Sequence, residues 1–160
     1  MRHAVLGLAI ALFALTASPH AAEEKNPVVG SWRLVAYQRV VDNGPPQNGL
    51  GERPKGFVIL TAEGRAVLLT TADGRKPATT DAERGELWKS MVAYTGKYRV
   101  EGGDLITSVD VSWNEEWNGT EQRRHFQIDG NKLIFTTSPA PSPIYPGKMY
   151  YARAVFEREQ

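Results

Sequence analysis

From Gly30 onward, apolar and polar side chains alternate in short runs, and Gly, Pro, Asn or Asp closes nearly every run. Side chains along a strand point to opposite faces in turn, so this period of two marks strands with one face buried. In the first run Trp32, Leu34, Ala36, Gln38 and Val40 share one parity, and Arg33, Val35, Tyr37 and Arg39 share the other. The pattern predicts a strand with the first set facing inward. Asp42 to Pro54 is rich in Gly and Pro and reads as loop. Lys55 to Ala62 predicts a second strand, Glu63-Gly64 a tight turn, and Arg65 to Thr71 a returning third.

The period then changes. Thr80-Asp81-Ala82-Glu83 fits a capping box, with Thr80 as N-cap and Glu83 reaching back. Leu87, Trp88, Met91 and Val92 fall on one side of the helix it starts. Five more strands follow: Tyr94 to Val100, Asp104 to Trp113, Thr120 to Ile128, Asn131 to Thr137, and Lys148 to Glu157. Gly102-Gly103, Asn118-Gly119 and Asp129-Gly130 are hairpin turns in this reading, and Pro139 to Gly147 is a longer loop.

Eight antiparallel strands joined mainly by short connections favour closure, because sandwiches need longer crossings between sheets and closure removes exposed edges. The expected fold is all-β, an eight-stranded up-and-down barrel with one short helix between strands 3 and 4. A barrel of that size encloses room for one small ligand.

The first 22 residues stand apart. Arg2 precedes an uncharged apolar run from Ala4 to Ala17, and Ser18-Pro19-His20-Ala21-Ala22 then leads into Glu23-Glu24. That order is a secretory signal with cleavage near Ala21 or Ala22; a retained N-terminal anchor is the alternative. Residues 1–22 are thus read as signal peptide and 23–160 as the barrel domain, exported to the periplasm or secreted. Without residues 1–22 the chain carries 18 basic and 18 acidic residues, so it has no electrostatic footprint for nucleic acid or an anionic membrane. The sequence has no Cys, which excludes a thiol nucleophile and a structural disulfide. One His remains, His125, so no two-histidine metal site can form. No metal, cofactor or catalytic residue is assigned.

Several segments carry a resemblance. Gly30-Ser31-Trp32-Arg33-Leu34 looks like the Gly-x-Trp signature of lipocalins, and Arg158 stands where lipocalins place the Arg covering that Trp. Lys55-Gly56-Phe57, Ala93-Tyr94-Thr95-Gly96-Lys97-Tyr98, Trp117-Asn118-Gly119-Thr120-Glu121-Gln122, Arg124-x-Phe126, Gly130-x-x-Leu133 and Phe156-Glu157-Arg158 extend it across residues 28 to 158. The chain resembles the lipocalin-like domain family of bacteria and fungi, calycin-type barrels. That resemblance implies a fold, not an activity. It makes Trp32 and Arg158 a barrel floor, where a guanidinium over an indole face adds roughly 0.5–2 kcal/mol.

Parity nominates the interior. With Phe126 and Ile128 inward, Gln122 and Arg124 face inward too, and His125 faces out. Neighbouring strands would add Tyr94, Gly96, Tyr98 and Val100, then Leu105, Thr107, Val109, Val111 and Trp113. Leu133, Phe135, Tyr150, Ala152 and Ala154 complete the expected lining. An aromatic and aliphatic interior with a few polar groups suits a small molecule. The ligand-binding candidates are Arg124, Gln122, Tyr94, Tyr98, Thr107, Trp113 and Tyr150.

Arg124 is the odd member, since a buried unpaired charge costs several kcal/mol and no inward Asp or Glu is expected. Three arrangements would satisfy it: a carboxylate from the mouth or helix (Glu86, Glu115 or Glu116), water and tyrosines in a wet cavity, or the acidic group of a ligand. The leading functional reading is an exported barrel that holds a small apolar or amphipathic molecule, an acidic one among the options. The rivals are a barrel enzyme of isomerase or cyclase type, and an envelope protein-interaction module without a ligand.

Overall fold

The structure is a computed structural model that describes residues 26–141 and 146–159. The expected signal segment, residues 1–22, lies outside the described residues, as does 142–145 within the Pro-rich loop. No described helix is long and apolar enough to cross a membrane.

Strand β1 (Gly30–Val41) is followed by the two-residue β2 (Gln47–Asn48), then β3 (Lys55–Leu60) and β4 (Arg65–Thr71). Helix α1 (Asp81–Lys89) leads into β5 (Met91–Glu101) and β6 (Asp104–Ser112). A single 3-10 turn (Glu115–Trp117) precedes β7 (Glu121–Asp129), β8 (Lys132–Thr136), the two-residue β9 (Ala140–Pro141) and β10 (Met149–Arg158). The eight long strands pair antiparallel in sequence order, and β10 pairs with both β8 and β1. That last pairing closes the barrel and leaves no long edge strand.

The helix does not lie between strands 3 and 4. It follows β4, because Gln47–Asn48 pairs with β1 and adds a strand that two residues of sequence could not announce. The capping box forms as expected, with Glu83 N–H donating to Thr80 Oγ1 and the Thr80 N–H donating to Glu83. Met91 and Val92, expected on the helix, belong to β5 instead. Ser90 caps the helix, and Met91 and Val92 pair with Thr71 and Thr70 of β4, so the sheet ladder wins over continued helix. No residue of α1 is buried.

Two bulges rewrite the parity. In β1 the register steps from Leu34 opposite Phe156 to Ala36 opposite Val155, which leaves Val35 unmatched. Past that point Tyr37 and Arg39 take the inner face opposite Ala154 and Ala152, and Ala36 and Gln38 turn outward. In β6 the register steps from Gly96 opposite Val109 to Thr95 opposite Val111, leaving Asp110 extra. Val111 is therefore outward and 61% exposed, contrary to the simple alternation. Val100 keeps its inner parity opposite the buried Leu105, but it sits at the rim beside the Gly102-Gly103 turn and is 40% exposed. Both of those glycines have positive φ, as a two-residue hairpin turn requires.

One end of the barrel is solid. Trp32, Leu34, Val58, Leu60, Leu105, Leu133 and Phe156 are all buried there. The Trp32 Nε1–H donates to the Val28 carbonyl at 2.8 Å, while Arg158 covers the ring and donates to the carbonyls of Val29 and Pro27. This end carries the tight turns; the 42–54 loop, α1, the 3-10 turn and residues 137–141 and 146–148 all gather at the other. The open end is where side chains can vary without disturbing the core.

Candidate functional site

Above the solid half lies a cavity of about 330 Å³. Its floor is Leu68, Phe135, Ala154 and Phe156, with Phe135 and Phe156 meeting edge to face at 5.7 Å. Its walls are Tyr37 of β1, Thr70 of β4, Val92 and Tyr94 of β5, Gln122 and Arg124 of β7, and Tyr150 and Ala152 of β10. Trp117 of the 3-10 turn and Thr137, Ser138 and Ala140 close the upper rim. No Asp or Glu lines it among the described residues.

Four of the seven residues nominated by sequence meet here: Arg124, Gln122, Tyr94 and Tyr150. The other three stand elsewhere. Tyr98 lies toward the closed end, where its hydroxyl donates to the Thr61 carbonyl at 2.8 Å; burial raises its pKa and Glu63 adds to the effect. Thr107 is 1% exposed, sits beside Gly96 below the cavity, and its Oγ1 has no partner among the described residues. Trp113 follows the end of β6 and packs behind the wall, its ring 4.9 Å from that of Trp117 in an edge contact. Its indole N–H is likewise buried without a partner among the described residues.

The aromatic chain continues outward. Trp88 of α1 lies 6.0 Å from Trp113 and donates its N–H to the Trp113 carbonyl, and Trp117 lies 5.7 Å from Tyr94. Arg124 completes this group, its guanidinium carbon 6.0 Å from the ring centroids of both Tyr94 and Trp117. It donates to Gln122 Oε1 at 3.2 Å and to the Arg123 carbonyl at 2.8 Å, and it forms no ion pair among the described residues. The Glu86, Glu115 and Glu116 carboxylates do not reach it: Glu86 holds Lys89 and Glu115 holds Asn118.

Tyr37 and Arg39 are what sequence parity missed. Tyr37 lines the cavity because the Val35 bulge turns it inward, and Arg39 lies over its ring at 6.0 Å. Burial pushes the Tyr37 hydroxyl above its ordinary pKa, while Arg39 and Arg124 both pull it back. Tyr37 therefore stays a neutral donor and acceptor around neutral pH. The only sequence sign of the bulge is the run Leu34-Val35-Ala36, three apolar residues where strict alternation would set a polar one.

His125 is exposed, as parity indicated, and faces Asp104 at 3.2 Å. Asp104 also accepts from Arg123, which holds its carboxyl below the usual range. These ion pairs belong to the outer face, although Arg123 also borders the cavity.

A family model described as a lipocalin-like domain matches residues 29–158. The chain belongs to the lipocalin-like domain family. Among solved structures it is similar to an uncharacterized protein from Bacteroides eggerthii DSM 20697, at 15% identity and a TM-score of 0.42. That likeness covers 82% of this chain and 98% of the other. No curated protein matches. A lipocalin-like barrel suits small-molecule binding in general, and the open half of this one provides a cavity for it.

Proposed function

We propose that this lipocalin-like protein is exported and holds one small apolar or amphipathic molecule in the open half of its barrel. The observation that carries the reading is the cavity itself. It has an apolar floor, aromatic walls and a limited set of polar groups above them: Arg124, Gln122, Tyr37, Tyr150, and the hydroxyls of Thr70, Thr137 and Ser138. Burial of the ligand's apolar part supplies the affinity, at about 25 cal/mol per Å² removed from water, and the polar groups fix its orientation. Export rests on the order of charge, apolar run and small residues over 1–22.

An enzymatic reading has less support, since the described lining contains no carboxylate or imidazole to take up a proton near neutral pH. A protein-interaction role has one observation in its favour. Phe57, Ile59, Val67 and Leu69 face outward on adjacent strands, each 40–46% exposed, with Phe57 opposite Leu69 and Ile59 opposite Val67. Such a surface does not need a cavity, and this barrel has one.

Native mass spectrometry of the purified protein, followed by titration with a panel of amphiphiles, tests the proposal. One-to-one binding that weakens when Ala154→Phe fills the cavity is expected. Binding that ignores Ala154→Phe, or a panel in which nothing binds, would overturn it. Sequencing the N-terminus of protein recovered from the cell envelope tests export, with a start at residue 22 or 23 expected.

A further inference from the structure

The Val35 bulge does more than reshape one strand: it sets a second guanidinium, that of Arg39, over the ring of Tyr37, which lines the cavity. Arg39 lies opposite Ala152 on the inner face of β1, and Ala152 lines the cavity. Its stem is held against the backbone of Gly49, whose missing Cβ would fall 2.8 Å from Arg39 Cγ, and Gly49 N–H is fixed by the Tyr37 carbonyl at 3.0 Å. Arg39 lies over the Tyr37 ring from β1, Arg124 reaches the cavity from β7 against Tyr94 and Trp117, and both act electrostatically on the Tyr37 hydroxyl. Neither guanidinium is paired with a carboxylate among the described residues, and no acid lines the cavity.

Two like charges near one half-buried hydroxyl, with no counter-charge among the described residues, form an arrangement that an anion relieves. Arg124 spends part of its donor set on Gln122 and the Arg123 carbonyl; the rest of its fork remains for a ligand. We propose that Arg39, Tyr37 and Arg124 form the head-group subsite for an amphipathic organic anion, a single carboxylate borne on an apolar tail. Tyr37 donates to the carboxylate from below, and the two guanidiniums flank it from β1 and β7. The tail runs toward Leu68, Phe135 and Phe156, where the floor is apolar. This assignment rests on the ligand-holding reading above and adds the charge of the ligand and the residue, Arg39, that selects it.

Three probes with the same tail test it: dodecanoate, dodecanol and dodecyltrimethylammonium, titrated into the full mature chain and followed by calorimetry. Hydrogen bonds to a charged group favour dodecanoate over dodecanol by about tenfold or more, and the cation is expected to bind weakest. Arg39→Gln is expected to cut that preference several-fold, leaving what Arg124 and Tyr37 supply, and Arg39→Lys to keep most of it. Arg153→Gln makes the same change of net charge on the outer face, opposite Gln38, and is expected to keep the preference in full. Should Arg39→Gln fail to fold, the three-probe comparison on the native chain decides alone. Equal binding of dodecanoate and dodecanol, or a preference that Arg39→Gln leaves unchanged, overturns the anion subsite and leaves the cavity reading standing. Failure of all three tails to bind removes the cavity reading itself, and the subsite with it.

Discussion

The guanidinium carbon of Arg158 lies 3.9 Å from the centroid of the Trp32 ring, and its two terminal nitrogens donate to the carbonyls of Val29 and Pro27 at 2.8 and 2.7 Å. One side chain thus covers the indole and ties the segment before β1 to the end of β10. Arg158→Ala is expected to cost about 1–3 kcal/mol, from the lost cation–π contact and two charge-assisted hydrogen bonds. Arg158→Lys should recover only part, because an ammonium lacks the planar fork that reaches both carbonyls while covering the ring. Urea unfolding measures the difference, and ligand affinity should be unchanged because the pair lies below the cavity floor. A loss of affinity at unchanged stability would contradict a purely structural role.

The β6 bulge makes a sharper test, since simple alternation places Val109 and Val111 on the same face. In the structure Val109 is 4% exposed and Val111 is 61% exposed. Val111→Asp is expected to change stability by no more than about 0.5 kcal/mol, whereas Val109→Asp buries a charge and should cost about 3 kcal/mol or more. Equal costs would mean that Asp110 is not the extra residue and that the register runs straight through.

These two bulges also explain which parts of the molecule could be read from its sequence. The strand segments, the Glu63-Gly64, Gly102-Gly103 and Asp129-Gly130 turns, the capping box and the Trp32–Arg158 floor each depend on local chemistry: alternation, Gly at positive φ, Thr80 with Glu83, a family signature. They were legible for that reason. Asn118-Gly119, expected as a hairpin turn, instead ends the 3-10 turn in an eight-residue connection. The interior lining depends on parity carried over ten residues, and one unmatched residue reverses it. Arg124, Gln122, Tyr94 and Tyr150 lie on stretches that no bulge interrupts before the cavity, so counting found them. Tyr37 and Arg39 lie beyond Val35, and counting assigned them to the outside. Tyr98 and Thr107 are inward but on the closed side of the cavity floor, a matter of height along the barrel that period-two patterns do not encode. The absence of amphipathic packing by α1 has another cause: the ladder between β4 and β5 claims Met91 and Val92, which would have supplied its apolar face.

Tyr37 supplies a pH dependence whose sign can be worked out. Burial raises its hydroxyl above the reference value of 10.0, so the unfolded chain releases this proton first as the pH rises. The contribution is complete below about pH 10 and is lost as the pH climbs through the folded value. Tyr98 is shifted the same way and adds to the slope. Urea unfolding between about pH 9 and 11 should therefore fall less steeply for Tyr37→Phe than for the native chain. Parallel slopes would mean that Tyr37 is solvated and does not face the cavity.

Trp117 offers an optical readout of occupancy. Its ring lines the cavity and touches Tyr94 and Trp113, whereas Trp88 is 48% exposed on α1 and lines nothing. A ligand that fills the cavity removes water from the Trp117 face, so emission should move to shorter wavelength on binding. Trp117→Phe should abolish most of that change and weaken binding by about two- to tenfold, the range expected for losing part of an aromatic contact worth roughly 0.5–1.5 kcal/mol. Trp88→Phe serves as the control and should preserve both the shift and the affinity. A response that follows Trp88 and not Trp117 would move the bound molecule out of the barrel and onto the helix, because only a ligand seated between β5, β7 and β10 can reach the Trp117 face that lines the cavity.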